Sequence, residues 1–63
     1  MSDITDCDVA KAMIIYSCGF VAELGKGWQI ANDDNKSRLR TAFPEYWLQY
    51  RELARRRAAE ANS

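Results

Sequence analysis

Apolar residues recur along the first third of the chain with the period of an α-helix. At about 100° per residue, one stripe is formed by Val9, Met13, Tyr16, Phe20 and Leu24. Thr5 and Asp8 have the spacing of an N-cap residue and its capping-box partner, and Ile4 before the cap can pack on Val9. Gly25 is a residue type that commonly ends helices. The pattern therefore predicts a helix over about 5–24.

Further apolar residues fall outside this stripe, in two other sectors of the same helix. A helix that is apolar on nearly every side should be buried on nearly every side. Two other short helices can hardly cover it, so the pattern favours self-association. The candidate dimer interface consists of Ile14, Ile15, Cys18 and Val21.

A β-hairpin over 20–31 is the alternative. The runs "FVAEL" and "WQIA" are short and joined by the glycine-containing "GKG". In that interpretation Gly19 ends a shorter first helix. The helical pattern continues through Gly19 and an isolated hairpin is weak, which favours the long helix. Residues 25–33 then form a connection from which Trp28 and Ile30 fold back on the core.

Two more helices follow. Asn32 or Asp33 can cap a helix over about 33–42, with Leu39 and Ala42 directed inward. Pro44 disfavours helical geometry at the residue before it but suits the first turn of a helix, which predicts a third helix over 44–60. The expected fold is all-α: one small three-helix domain over residues 1–63, completed by dimerisation.

The segment "FPEYWLQYRELARRR" mixes aromatic and basic residues in sequence but separates them on a helix. The sector expected to face the core contains Phe43, Tyr46, Trp47, Tyr50, Leu53, Ala54, Ala58 and Ala61. Arg56 lies between Glu52 and Glu60, each four residues away, as in a ladder of opposite charges. Arg51 and Arg55 share a flank with Leu48.

Composition changes this picture in one respect. The chain of 63 residues has 48% hydrophobic residues and a net charge of zero. Residues 1–35 have six acidic and two basic residues, a charge of −4, whereas residues 36–63 have seven basic and three acidic residues, a charge of +4. Such asymmetry can indicate an interaction surface.

The acidic start differs from the basic start of a signal peptide, and no apolar run reaches the ~20 residues of a membrane span. A cytoplasmic, intracellular protein without membrane contact is expected.

Candidate chemistry is sparse. The chain has no histidine, the commonest general base and metal ligand. Cys7 and Cys18 have no adjacent base and cannot pair within one helix, although they could pair across a dimer. Both are expected to be buried free thiols. "NDDNK" lacks the spacing of a calcium loop, and "GKG" is too short for a phosphate loop. We expect a non-enzymatic protein without a cofactor or metal.

The leading functional hypothesis is therefore a protein–protein interaction module. It would be a homodimeric regulator or inhibitor that binds and occludes a partner protein. The small size and the proline-started aromatic helix make its composition similar to that of small accessory proteins of phages and mobile elements. Arg, Tyr and Trp are enriched at interface hot spots. The predicted partner-binding residues are Tyr46, Trp47, Leu48, Arg51 and Arg55.

Two alternatives stay open. The first is a nucleic-acid-binding transcriptional regulator with a rough helix-turn-helix; its cations would be Lys36, Arg38, Arg40, Arg51 and Arg55. Zero net charge counts against it, because domains of this kind are usually basic. The second is a small structural subunit of a larger assembly, which nothing in the sequence excludes.

Overall fold

A computed structural model describes residues 4–61, and these residues form four helices and no strand. The helices are α1 (Asp6–Tyr16), α2 (Phe20–Ile30), α3 (Asp33–Ala42) and α4 (Pro44–Ala61). The predicted all-α fold is confirmed. Within the described residues, none of the helices is both long and apolar enough to cross a membrane.

The helix predicted over 5–24 is two helices, and this is the main correction to the predicted fold. The first helix ends at Tyr16, where Ser17 takes an extended conformation. Gly19 follows with φ 73° and ψ −135°, a conformation that residues with a Cβ atom rarely adopt. The chain turns there, and α2 packs back against α1. The hairpin alternative is also wrong, because residues 20–30 are helical. Its shorter first helix, ending near Gly19, is closer to the structure than the long helix is.

Gly25 does not end a helix. It lies in the middle of α2, buried where α2 crosses α1. A Cβ atom at this position would lie 2.7 Å from the carbonyl oxygen of Ala10 and 3.0 Å from Cβ of Met13. The absent side chain therefore permits a close approach of the two helices.

The core lies mainly among α1, α2 and α4. Its buried hydrophobic residues are Val9, Ala10, Ala12, Met13, Leu24, Trp28, Trp47, Tyr50 and Ala54. The predicted inward stripe of the last helix is confirmed as far as Ala58, since its other members up to that residue are half-buried; the side chain of Ala61 lies outside the described residues. Trp28 folds onto the core as expected, but Ile30 is 88% exposed and does not. Of the two residues predicted to face inward from α3, Leu39 is half-buried and Ala42 is exposed.

Side-chain caps mark where α1 and α3 begin. Thr5 and Asp8 form the predicted capping box: the Asp8 backbone N–H donates to Thr5 Oγ1 at 3.2 Å, and the Thr5 N–H donates to Asp8 Oδ2 at 3.0 Å. Asn32 caps α3, accepting from the Asn35 N–H at 2.8 Å. Pro44 starts α4, and Phe43 alone separates it from the end of α3.

Candidate functional site

A surface groove lies at the junction of α3 and α4, beside the first turn of α1. Pro44 and the next two turns of α4 form one side of it, and Arg40 of α3 contributes the other. The groove is lined by Asp6, Arg40, Pro44, Trp47, Leu48 and Arg51. Leu48 is 73% exposed, whereas Trp47 is buried. The groove thus places an exposed apolar side chain next to a buried indole.

The two arginines of the groove have different surroundings. The Arg40 Nη1 atom lies 3.5 Å from Asp6 Oδ2, so Arg40 links α3 to α1. Arg51 makes no ion pair with any residue between 4 and 61. Since both side chains of the Arg40–Asp6 pair are partly solvent-exposed, the pair contributes little to stability. Arg51 is accordingly the cation of the groove that is left for a ligand.

Arg55 lies on the same flank of α4 but is engaged by its own helix. Its guanidinium donates twice to Glu52, with Nε 3.0 Å from Oε2. The Arg55 hydrogen bond holds the pKa of Glu52 below its ordinary value, and the pKa of Arg55 is raised in turn. Arg56 Nε lies 3.5 Å from Glu52 Oε1, which confirms the Glu52 side of the predicted ladder of charges. Glu52 therefore faces two arginines at once.

The structure brings together only some of the predicted partner-binding residues. Trp47, Leu48 and Arg51 share the groove. Tyr46 belongs instead to an aromatic cluster with Phe43 and Phe20. Phe43 and Tyr46 are stacked with centroids 5.9 Å apart, and Phe20 meets Phe43 edge-on at 5.7 Å. Phe20 is 59% exposed, which makes this cluster a second surface.

Sequence reasoning missed Phe20 as a surface residue because it was assigned to the inward stripe of one long helix. The signal that could have identified it was Gly19, the residue directly before it. Once the chain turns at Gly19, Phe20 begins a new helix and its direction no longer follows from Val9 and Met13. Its contacts with Phe43 and Tyr46 arise only in the folded chain.

The predicted dimer-interface residues divide into two pairs. Ile14 and Val21 are half-buried inside the chain: Ile14 lies beside Gly25, and Val21 packs on the core. Ile15 is 51% exposed and Cys18 is exposed. The interface stays a prediction, with only the second pair available on the surface. Cys7 is exposed as well, so the predicted burial of both cysteines is wrong, although both are free thiols.

The predicted nucleic-acid residues are largely turned toward intrachain partners. Lys36 Nζ lies 4.7 Å from the Trp28 ring centroid, in a cation–π contact. Arg38 pairs with Asp34 at 3.2 Å, as the one-turn spacing predicts. Arg40 and Arg55 also have carboxylate partners, as described above. The α3–α4 junction of one residue is shorter than the usual turn of 3–4 residues in a helix-turn-helix. Nucleic-acid binding stays a prediction that none of these contacts favours.

No group of three or more His, Cys, Asp or Glu side chains within the described range could hold a metal ion. Comparisons with protein-family models, with curated proteins and with solved structures find no match to this chain. What the groove can bind is therefore inferred from the side chains that line it.

Proposed function

We propose that the protein is a small non-enzymatic interaction module that binds a partner protein through the groove at the α3–α4 junction. The observation that carries this proposal is the exposed Leu48 beside Arg51, at the edge of the buried Trp47. A single exposed leucine means little by itself. Placed next to a buried indole and an arginine that has no ion pair among residues 4–61, it has the composition of an interface anchor.

The groove is suited to binding because much of it is already ordered. Trp47 is packed against Trp28, with ring centroids 6.1 Å apart, so its position is fixed before a partner arrives. A pre-organised surface loses less conformational freedom on binding. Fully burying a leucine side chain contributes roughly 1.5–3 kcal/mol. Leu48 could thus supply a large share of a modest affinity.

Binding itself would be the activity of such a module. A protein of this size can regulate or inhibit a partner by occluding the surface that it covers. The test is a pull-down from the native cell extract, with the bound proteins identified by mass spectrometry. We expect a partner to be retained by wild type and by Arg57→Glu, and to be lost with Leu48→Ser and with Arg51→Glu.

Arg57→Glu is the matched control, since it makes the same charge change on another side of α4. Leu48, Arg51 and Arg57 are all exposed, so the variants should keep the fold, which circular dichroism checks. The same set of captured proteins with wild type and with Leu48→Ser would mean that the groove is not the contact surface.

The proposal includes a homodimer, supported by the exposed apolar residues around the α1–α2 turn. Phe20 and Ile15 are more than half exposed there. In a two-fold dimer each residue of the interface occurs twice, once from each chain, so two phenylalanines would contribute to one contact.

Light scattering coupled to size-exclusion chromatography tests the dimer. We expect wild type to have twice the chain mass of 7.2 kDa and Phe20→Ser to dissociate. Ile30→Ser, at the other end of α2, is the control that should leave the mass unchanged. A monomeric wild type would end the dimer proposal while leaving the groove proposal intact.

A further inference from the structure

Positive charge exceeds negative charge among the residues that line the groove. Its lining has two arginines and one aspartate, and that aspartate is already engaged by Arg40. One turn along α4, Glu52 is shared between Arg55 and Arg56. Asp6 and Glu52 are therefore already paired, whereas Arg51 has no ion pair among residues 4–61.

The apolar part of the groove adjoins this charge. Leu48 and Pro44 are exposed and, with the buried Trp47, form a short apolar surface. Its ligand should therefore have an apolar side chain and a negative charge close to each other. An arginine guanidinium can bind a carboxylate through two parallel hydrogen bonds, which adds geometric specificity.

We propose that the groove binds an acidic segment of a partner protein, in which an apolar side chain lies on Leu48 and Pro44 and a neighbouring Asp or Glu binds Arg51. This inference rests on the proposed function and adds the chemistry of the partner. A nucleic-acid backbone would also supply negative charge. The apolar contact at Leu48 and the intrachain pairing of Lys36 and Arg38 favour a protein.

The experiment is a selection of peptides from a random display library on the immobilised full-length chain, followed by fluorescence anisotropy of the enriched peptides. We expect enriched sequences to have Asp or Glu within one helical turn of a large apolar residue. Arg51→Glu should weaken their binding about tenfold or more, as expected for reversal of a contacting charge. Arg51→Gln should have a smaller effect, and Arg57→Glu should have none.

Three outcomes distinguish the possibilities. Peptides whose binding depends on Leu48 but which show no acidic preference would overturn the acidic-partner inference and leave the groove as a binding site. Peptides whose binding is unchanged in Leu48→Ser and in Arg51→Glu would overturn the proposed site as well. Duplex DNA that binds wild type, loses affinity in Arg51→Glu and competes with the peptides would assign the groove to nucleic acid instead.

Discussion

Gly25 offers a sharp test of how α1 and α2 pack, because the chain contains its own control. Gly25 and Gly27 both lie inside α2, two residues apart. A Cβ atom at Gly25 would lie 2.7 Å from the Ala10 carbonyl oxygen, a backbone atom that cannot move alone. A Cβ atom at Gly27 would meet nothing within 4 Å. Gly25→Ala and Gly27→Ala therefore change helix propensity equally, but only Gly25→Ala creates a steric clash.

The expected changes have opposite signs. Replacing glycine with alanine inside a helix stabilises it by up to about 1 kcal/mol, which is what Gly27→Ala should approach. Gly25→Ala makes the same gain but must push α2 away from α1, and overpacking of a core costs typically about 1–3 kcal/mol. With a backbone atom as the obstacle, the upper part of that range applies. The net result for Gly25→Ala is a destabilisation of about 1–2 kcal/mol.

Thermal and urea unfolding, followed by far-ultraviolet circular dichroism, measure both changes. In a domain of this size about 1 kcal/mol corresponds to roughly 4–8 °C in Tm, so the two variants should move Tm in opposite directions by readily measured amounts. A Gly25→Ala protein as stable as Gly27→Ala would refute the close approach of α1 and α2. It would return Gly25 to an ordinary helix position.

Three further predictions concern the turn, the first cap and the cysteines. Gly19→Ala should lower the free energy of unfolding by about 1–3 kcal/mol, because φ is 73° at this position; an unchanged urea midpoint would contradict the turn. Backbone and side-chain hydrogen bonds with Thr5 lower the pKa of Asp8, so the resulting stability is present above the ordinary carboxyl pKa and is lost as pH falls through the folded-state value. Between about pH 5 and about pH 3, urea unfolding should show a larger loss of stability for wild type than for Asp8→Ala; parallel curves would rule out this contribution. Cys7 and Cys18 should both react with a thiol reagent in the native protein, and protection of either until unfolding would contradict its exposure.

Local features were predictable from sequence because their causes are local. The Thr5–Asp8 capping box depends on residues three positions apart, and the start of α4 depends on Pro44 and its neighbour. The inward stripe of α4 followed from helical geometry alone. The break after Tyr16 was not predictable in this way. The apolar period continues past Gly19 even though the residues on either side belong to different helices.

Only the part of the groove that α4 forms was predictable, because its residues are close together in sequence. Trp47, Leu48 and Arg51 lie on one helix, so their relative positions follow from their spacing. Asp6 and Arg40 come from α1 and α3, and only tertiary packing brings them to the same groove. The pairing of Arg55 with Glu52 rather than with a ligand depends on side-chain geometry, which residue types alone do not determine.

The break at Gly19 changes the physical basis for expecting a dimer. A single helix over 5–24 would be apolar on nearly every side, and a second copy would be needed to cover it. With α2 folded back, Val9 and Met13 are buried within one chain, between α2 and α4. Self-association is then not needed to complete the core, and it depends on the residues that stay exposed near the turn, above all Phe20. Phe20→Ser should therefore dissociate a dimer without unfolding the monomer, whereas loss of a core-completing interface would do both.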